Sequence, residues 1–186
     1  MKNILKIVFL GVVAFSFLVY LTIPKDKSEN IKNIEQKVEN IPKNFEIIGK
    51  NIKKDNFFTK DNYIVLLNHD SLVVFKDLYK KTNKNIVLVA NISNTPWLIK
   101  NIAVEGELEK MYKDSEIALI SDSNGDFRRF FGKNEDSMNS YIVYKVLENN
   151  QIKEIYKGNV KKGALQEGIL AEDIDKSLEE FLTNLR

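Results

Sequence analysis

The sequence predicts an α/β domain of three layers, α/β/α, built on a mixed sheet and carried behind one N-terminal transmembrane helix. Three observations predict it. Apolar runs of strand length alternate with stretches of helical spacing, in the order β-α-β-α-β-α-β-β-α. The last two strands flank Asn149-Asn150, which is hairpin-turn chemistry, so an antiparallel pair follows strands joined by helical crossovers. An uncharged apolar run, Ile7 to Ile23, follows a basic start that contains Lys2 and Lys6.

That start sets the expected location. A basic segment ahead of an apolar run keeps its charged end in the cytoplasm and sends the following chain outward. Pro24-Lys25-Asp26-Lys27 closes the run. Its length fits a short spanning helix or a long signal-peptide core. No small-x-small cleavage pattern follows it, and without cysteine a lipid-modified signal is impossible. The expectation is a signal-anchor helix at residues 1–23, single-pass in a bacterial inner membrane, with the rest in the periplasm. The alternative is a cleaved signal and a soluble periplasmic domain.

Residues 24–60 read as a charged tether rich in Lys, Glu, Asn and Ile. Within it Ile31, Ile34, Val38 and Ile41 recur at helical spacing ahead of Pro42. This short stripe packs on the domain or pairs weakly with a second copy of itself. Phe45, Ile47 and Ile48 are apolar enough for a short strand or a docked segment.

The domain proper is expected over residues 61–186. Tyr63-Ile64-Val65-Leu66-Leu67 is a buried strand, and Asn68-His69-Asp70-Ser71 turns into a helix marked by Leu72, Phe75, Leu78 and Tyr79. Asn85–Ile92 is a central strand that delivers the chain to Asn94-Thr95-Pro96-Trp97 and a second helix. Glu116–Ile120 is a third strand. A turn, Asp122–Asp126, then leads to a short helix with Phe127, Phe130 and Phe131. Tyr141–Leu147 and Ile152–Tyr156 form the hairpin, and Ile174, Leu178, Phe181, Leu182 and Leu185 mark the C-terminal helix.

Composition narrows the chemistry. Of 186 residues, 44% are hydrophobic and 29% charged, which belongs to a folded chain rather than a disordered one. Net charge is +2, and the arginines are Arg128, Arg129 and Arg186, so no nucleic-acid partner is expected. There is no cysteine. Thiol redox catalysis, disulfide exchange and thiolate metal sites are therefore excluded, because the thiolate is the reacting or ligating group in each. His69, the single histidine, stands beside Asp70 and Ser71. Neighbours in sequence do not make a catalytic triad, which is assembled in space, so this is read as a capped turn. Asp122–Asp126 is similar to the start of a calcium loop, but Lys133 stands where that loop needs its bidentate glutamate. No catalytic residue, metal site or cofactor is expected.

The element order, the strand that leads into Asn94-Thr95-Pro96-Trp97, the hairpin with Gly158 and the final helix resemble thioredoxin-like proteins. In that family the turn reads Cys-x-Pro-Cys or Cys-x-x-Cys. Here, with the proline in register, both thiols are gone. A cis-proline stands before the fourth strand in the family, beside the active site; this chain has Met138-Asn139-Ser140-Tyr141 there. The buried acid of the family's central strand is replaced by Leu88. The resemblance implies the fold and a peptide-docking groove without redox activity. Its docking residues would be Asn94, Thr95, Pro96, Trp97, Ser140 and Tyr141. The expected function is a membrane-anchored, periplasm-facing binding or assembly module for an envelope protein or peptide. A non-redox hydrolase or transferase and a self-associating tether are the alternatives.

Overall fold

Tyr63–Leu67 and Ile86–Asn91 are apolar almost throughout, and strands of that composition need cover on both faces. The computed structural model describes residues 12–20, 36–50, 57–93, 105–133 and 137–185. Its strands are β1 (Glu46–Ile48), β2 (Tyr63–Leu67), β3 (Ile86–Asn91), β4 (Ala118–Asp122), β5 (Ser140–Val146) and β6 (Ile152–Asn159). They form one sheet in the order β1-β4-β3-β2-β5-β6. β2, β3 and β4 run parallel, while β5 is antiparallel to β2, β6 to β5 and β1 to β4. The helices are α1 (His69–Phe75), α2 (Glu105–Tyr112), α3 (Asp126–Phe130), α4 (Ala164–Glu167) and α5 (Ala171–Thr183).

Strand alternation divides the core in two. Tyr63, Val65 and Leu67 face one side with Leu88, Ala90, Tyr141 and Val143; α1, α2 and α5 cover them through Leu72, Phe75, Leu108, Tyr112, Leu178 and Phe181. Ile64 and Leu66 face the other side with Val87, Val89, Ile120 and Tyr144, under Phe127, Phe130 and Phe131 of α3. A mixed sheet between two helical layers is consistent with the thioredoxin-like α/β fold that the resemblance implies.

Several element boundaries differ from the expected ones, each for a local reason. The third strand begins at Ala118 rather than Glu116. Ser115 Oγ donates to Ile117 O (2.8 Å) and accepts from Ile117 N (3.1 Å), which holds the chain in a turn before pairing with Val87 starts. The helix after His69 ends at Phe75, and a single 3₁₀ turn, Leu78–Lys80, carries Leu78 into the core. β6 runs on to Asn159 and carries a bulge opposite Val143 and Tyr144. α4 has no counterpart in the sequence reading.

The chain ahead of Tyr63 contributes to the same body. Lys37 bridges Gln151, Val38 N donates to Asn150 O (2.9 Å), and Ile152 N donates to Gln36 O (2.7 Å). Val38–Asn40 is a 3₁₀ turn, not part of an α-helix. Ile41 is buried in the second core and Val38 packs against it; Ile31 and Ile34 lie outside the described residues. Within the apolar N-terminal run, residues 12–20 form a helix in which Val12, Val13, Phe15, Phe17, Leu18 and Tyr20 are exposed. Among the described residues, no helix is long and apolar enough to cross a membrane.

Candidate functional site

The parallel strands β2, β3 and β4 end together, and each end is polar where its strand was apolar. This is the edge at which α/β sheets place ligands. After Leu67, Asn68 takes an extended conformation and α1 starts at His69. Asn68 is the hub of the polar cluster that follows. Its Nδ2 donates to Ser137 O (2.8 Å) and to Ser140 Oγ (2.7 Å), and its Oδ1 accepts from Asn91 Nδ2 (2.8 Å) at the end of β3. Ser93 Oγ donates to Asn91 Oδ1 (3.2 Å), and Ser71 Oγ donates to Asn68 O (2.6 Å).

The segment before β5 closes on this turn through the backbone. Asn68 N donates to Ser140 O (3.2 Å) and Asp70 N to Met138 O (2.8 Å). The sequence reading sets that segment beside Asn94-Thr95-Pro96-Trp97; the contacts seen are with the turn after β2. Asn94, Thr95, Pro96 and Trp97 lie outside the described residues. Ser140 and Tyr141 are both described and both buried, at 0% and 2% exposure, so neither side chain faces solvent. Tyr141 sits between Phe75 and Phe181, with ring centroids at 4.9 and 5.8 Å, and burial pushes its phenol pKa well up. The exposed large apolar side chains around the turn are Met138 and Leu165, at 45% and 43%.

Asp70 ties these pieces together. Its carboxylate accepts from Gly163 N (2.8 Å) and Leu165 N (3.1 Å), so a single buried side chain fixes the start of α4 against α1. That use leaves Asp70 unavailable to orient His69, which makes no hydrogen bond to a side chain or backbone group among the described residues. Burial holds His69 below the ordinary histidine pKa, and the Asp70 charge offsets this only in part. His69, Asp70 and Ser71 open α1, whose start carries no side-chain cap, so the capped turn expected of them is not what forms: the Asp70 carboxylate holds the start of α4 instead.

A second feature lies at the end of β4. Asp122 accepts from Phe127 N (3.1 Å) and Arg128 N (2.9 Å) and so caps the first turn of α3. Burial raises its pKa against the opposing effect of those two amides. Its carboxylate is thus structural, and no group of three or more His, Cys, Asp or Glu that could hold a metal is present among the described residues. Beside it a crevice of about 470 Å³ opens between β1 and the Asp122–Asp126 turn.

Sequence reasoning missed Asn68 and Asn91 as site residues. The signal available was positional: each is the polar residue that ends an apolar parallel strand. The proline at 96 drew the assignment to the other strand end.

No family model matches the sequence, and neither does any curated protein. Among solved structures the chain is similar to the mitochondrial 2-Cys peroxiredoxin from Plasmodium falciparum, at 15% identity and a TM-score of 0.39, over 80% of this chain and 94% of that one.

Proposed function

We propose that this protein is a membrane-anchored, periplasm-facing thioredoxin-like module without thiol redox activity, which binds an envelope protein or assists its assembly. The observation that carries the reading is the turn at Asn68-His69-Asp70-Ser71. It lies at the end of a central parallel strand, it starts a helix, and the segment before β5 is hydrogen-bonded onto it. By the family criterion of that segment lying beside the active turn, Asn68 and Ser71 occupy the frame of Cys-x-x-Cys. An amide and a hydroxyl stand in place of two thiols, and both are engaged in hydrogen bonds. The chain as a whole has no cysteine to substitute for them. What this face has to offer a partner is contact, through Met138 and Leu165.

Photo-crosslinking in cells tests this. Probes at Met138, Leu165 and Trp97 are expected to give one discrete adduct with an envelope protein. A probe at Glu148, on the hairpin turn at the opposite end of the sheet, is expected to give none. The same adduct from all four positions, or none from any, would sink the reading.

A further inference from the structure

Asp70 is 3% exposed, and it holds two distant parts of the chain at once. Its backbone N–H donates to Met138 O (2.8 Å), ahead of β5. Its carboxylate accepts from Gly163 N (2.8 Å) and Leu165 N (3.1 Å), at the start of α4. Met138 and Leu165 are the exposed large apolar side chains around the Asn68 turn, so a single residue sets how they stand together. Among the described residues the carboxylate makes no ion pair, and its hydrogen bonds go to this one segment.

The segment lies between two fixed points. Val160 is buried, its N–H donates to Asn139 O (2.8 Å), and its carbonyl accepts from Asn139 Nδ2 (2.8 Å). Ile169 packs against the first core. Between them Gly163 (φ 80°, ψ 6°) and Gly168 (φ 83°, ψ 167°) flank α4. The first conformation is left-handed, and the second is essentially open to glycine alone. Such positions absorb large backbone rotations, as hinges do. The stretch between them is braced internally, since Gln166 N and Glu167 N both donate to Gly163 O (3.1 and 2.8 Å). Its side chains add little grip: Ala164 is buried, but Leu165, Gln166 and Glu167 are exposed. A segment with so little buried surface opens far below the cost of global unfolding unless something ties it down. The Asp70 carboxylate is that tie.

We infer that Asp70 is a latch. Closed, it holds Leu165 next to the segment that carries Met138. Released, α4 swings as a unit on Gly163 and Gly168 and separates the two side chains. Under the binding role proposed above, on which this consequence rests, the latch controls whether the docking face is assembled. Asp70 is then a positioning residue.

Amide hydrogen exchange of the full chain in detergent micelles tests the latch. Gly163 and Leu165 are expected to exchange faster than the amides of β2 and with little denaturant dependence, as in a local opening. Asp70→Asn keeps one acceptor oxygen and removes the charge. It is expected to speed exchange at Gly163 and Leu165 roughly tenfold to a hundredfold, with β2 changed far less. Gly168→Ala strains the closed backbone from an exposed position and leaves Asp70 in place. It is expected to act in the same direction, so the result does not hang on one buried substitution. A photo-crosslinking probe at Met138 is expected to give less adduct in both variants than in the wild type. Exchange at Gly163 and Leu165 that keeps pace with β2, or that neither variant speeds, would overturn the latch whether or not an adduct forms. Faster exchange with an unchanged adduct yield would overturn its control of docking. No adduct from the wild type would end the binding role and that control with it, while exchange still decides the latch.

Discussion

Two glycines of the chain call for opposite substitutions, because their surroundings differ. A Cβ built on Gly158 would stand 2.4 Å from the Tyr141 ring and its hydroxyl, and that ring is already fixed against Phe75 and Phe181. The strand must move or the ring must leave its place, so Gly158→Ala is expected to destabilise by about 1–3 kcal/mol in urea unfolding. Gly106 sits in α2 with nothing among the described residues within 4 Å of its missing Cβ. There alanine relieves the backbone entropy cost, and Gly106→Ala is expected to stabilise by roughly 0.5–1 kcal/mol. Equal effects at the two positions would mean that the close approach of β6 to Tyr141 is misjudged. His69 gives a pH test at the same scale. An unfolded histidine titrates near pH 6.5, and burial places folded His69 lower. Between the two values the unfolded chain binds the extra proton. Stability from this residue is therefore complete above the unfolded value and falls as pH drops toward the folded one. Asp122, raised by burial, acts in the opposite sense in more acid solution. Comparing melting temperatures of the wild type and His69→Gln from about pH 7.5 to 5 isolates the histidine, since Asp122 is common to both. The wild type is expected to lose more stability over that range, and parallel curves would refute it.

At the scale of elements, stability rests on apolar faces meeting at the sheet. α5 presents Leu178 and Phe181 to the first core, and Phe181 meets the Phe75 ring edge-on at 4.8 Å. Phe181→Ala is expected to cost about 3–5 kcal/mol, while Leu182→Ala, at a half-buried position, costs less. A reversed order, measured by denaturant midpoints, would place the helix differently on the sheet. Elements like α5 were legible in the sequence because their signal is local: Ile174, Leu178, Phe181 and Leu182 repeat within a few turns. So were β2 and β3, whose continuous apolar runs announce burial on both faces. The order of strands was not legible to the same degree. Pairing of β5 with β2, as Leu67 against Tyr141 and Tyr63 against Lys145, joins residues far apart in the chain, and no local pattern encodes it. The site followed from that pairing. Pro96 is a strong local cue and drew attention to the end of β3. Asn68 carries no such cue and becomes a hub only once β5 brings Ser137 and Ser140 to it. α4 was missed for the same reason, since its position is set by Asp70 from a distant helix.

At the scale of the whole molecule the remaining question is what the apolar N-terminus does for a domain that has its cores without it. The two cores draw on residues from Val38 to Leu185. In the helix of residues 12–20, Phe15, Phe17, Leu18 and Tyr20 are more than half exposed, so the domain does not bury them. Ser16 Oγ donates to Val12 O (2.8 Å), satisfying its hydroxyl within the helix. Exposed apolar side chains on every side of a helix need a partner or a lipid phase. If the partner were the domain, deleting residues 1–23 would remove buried area and lower the melting temperature. If the solvent is lipid, the deletion changes where the protein is found and leaves its unfolding alone. The second outcome is expected: the full chain stays in the membrane fraction through carbonate extraction, and the chain lacking residues 1–23 is soluble with an unchanged thermal transition. A soluble full chain would remove the anchor from the proposed function. A melting temperature lowered by the deletion would return those side chains to the fold, since losing even a few buried methylenes at about 0.8 kcal/mol each is measurable.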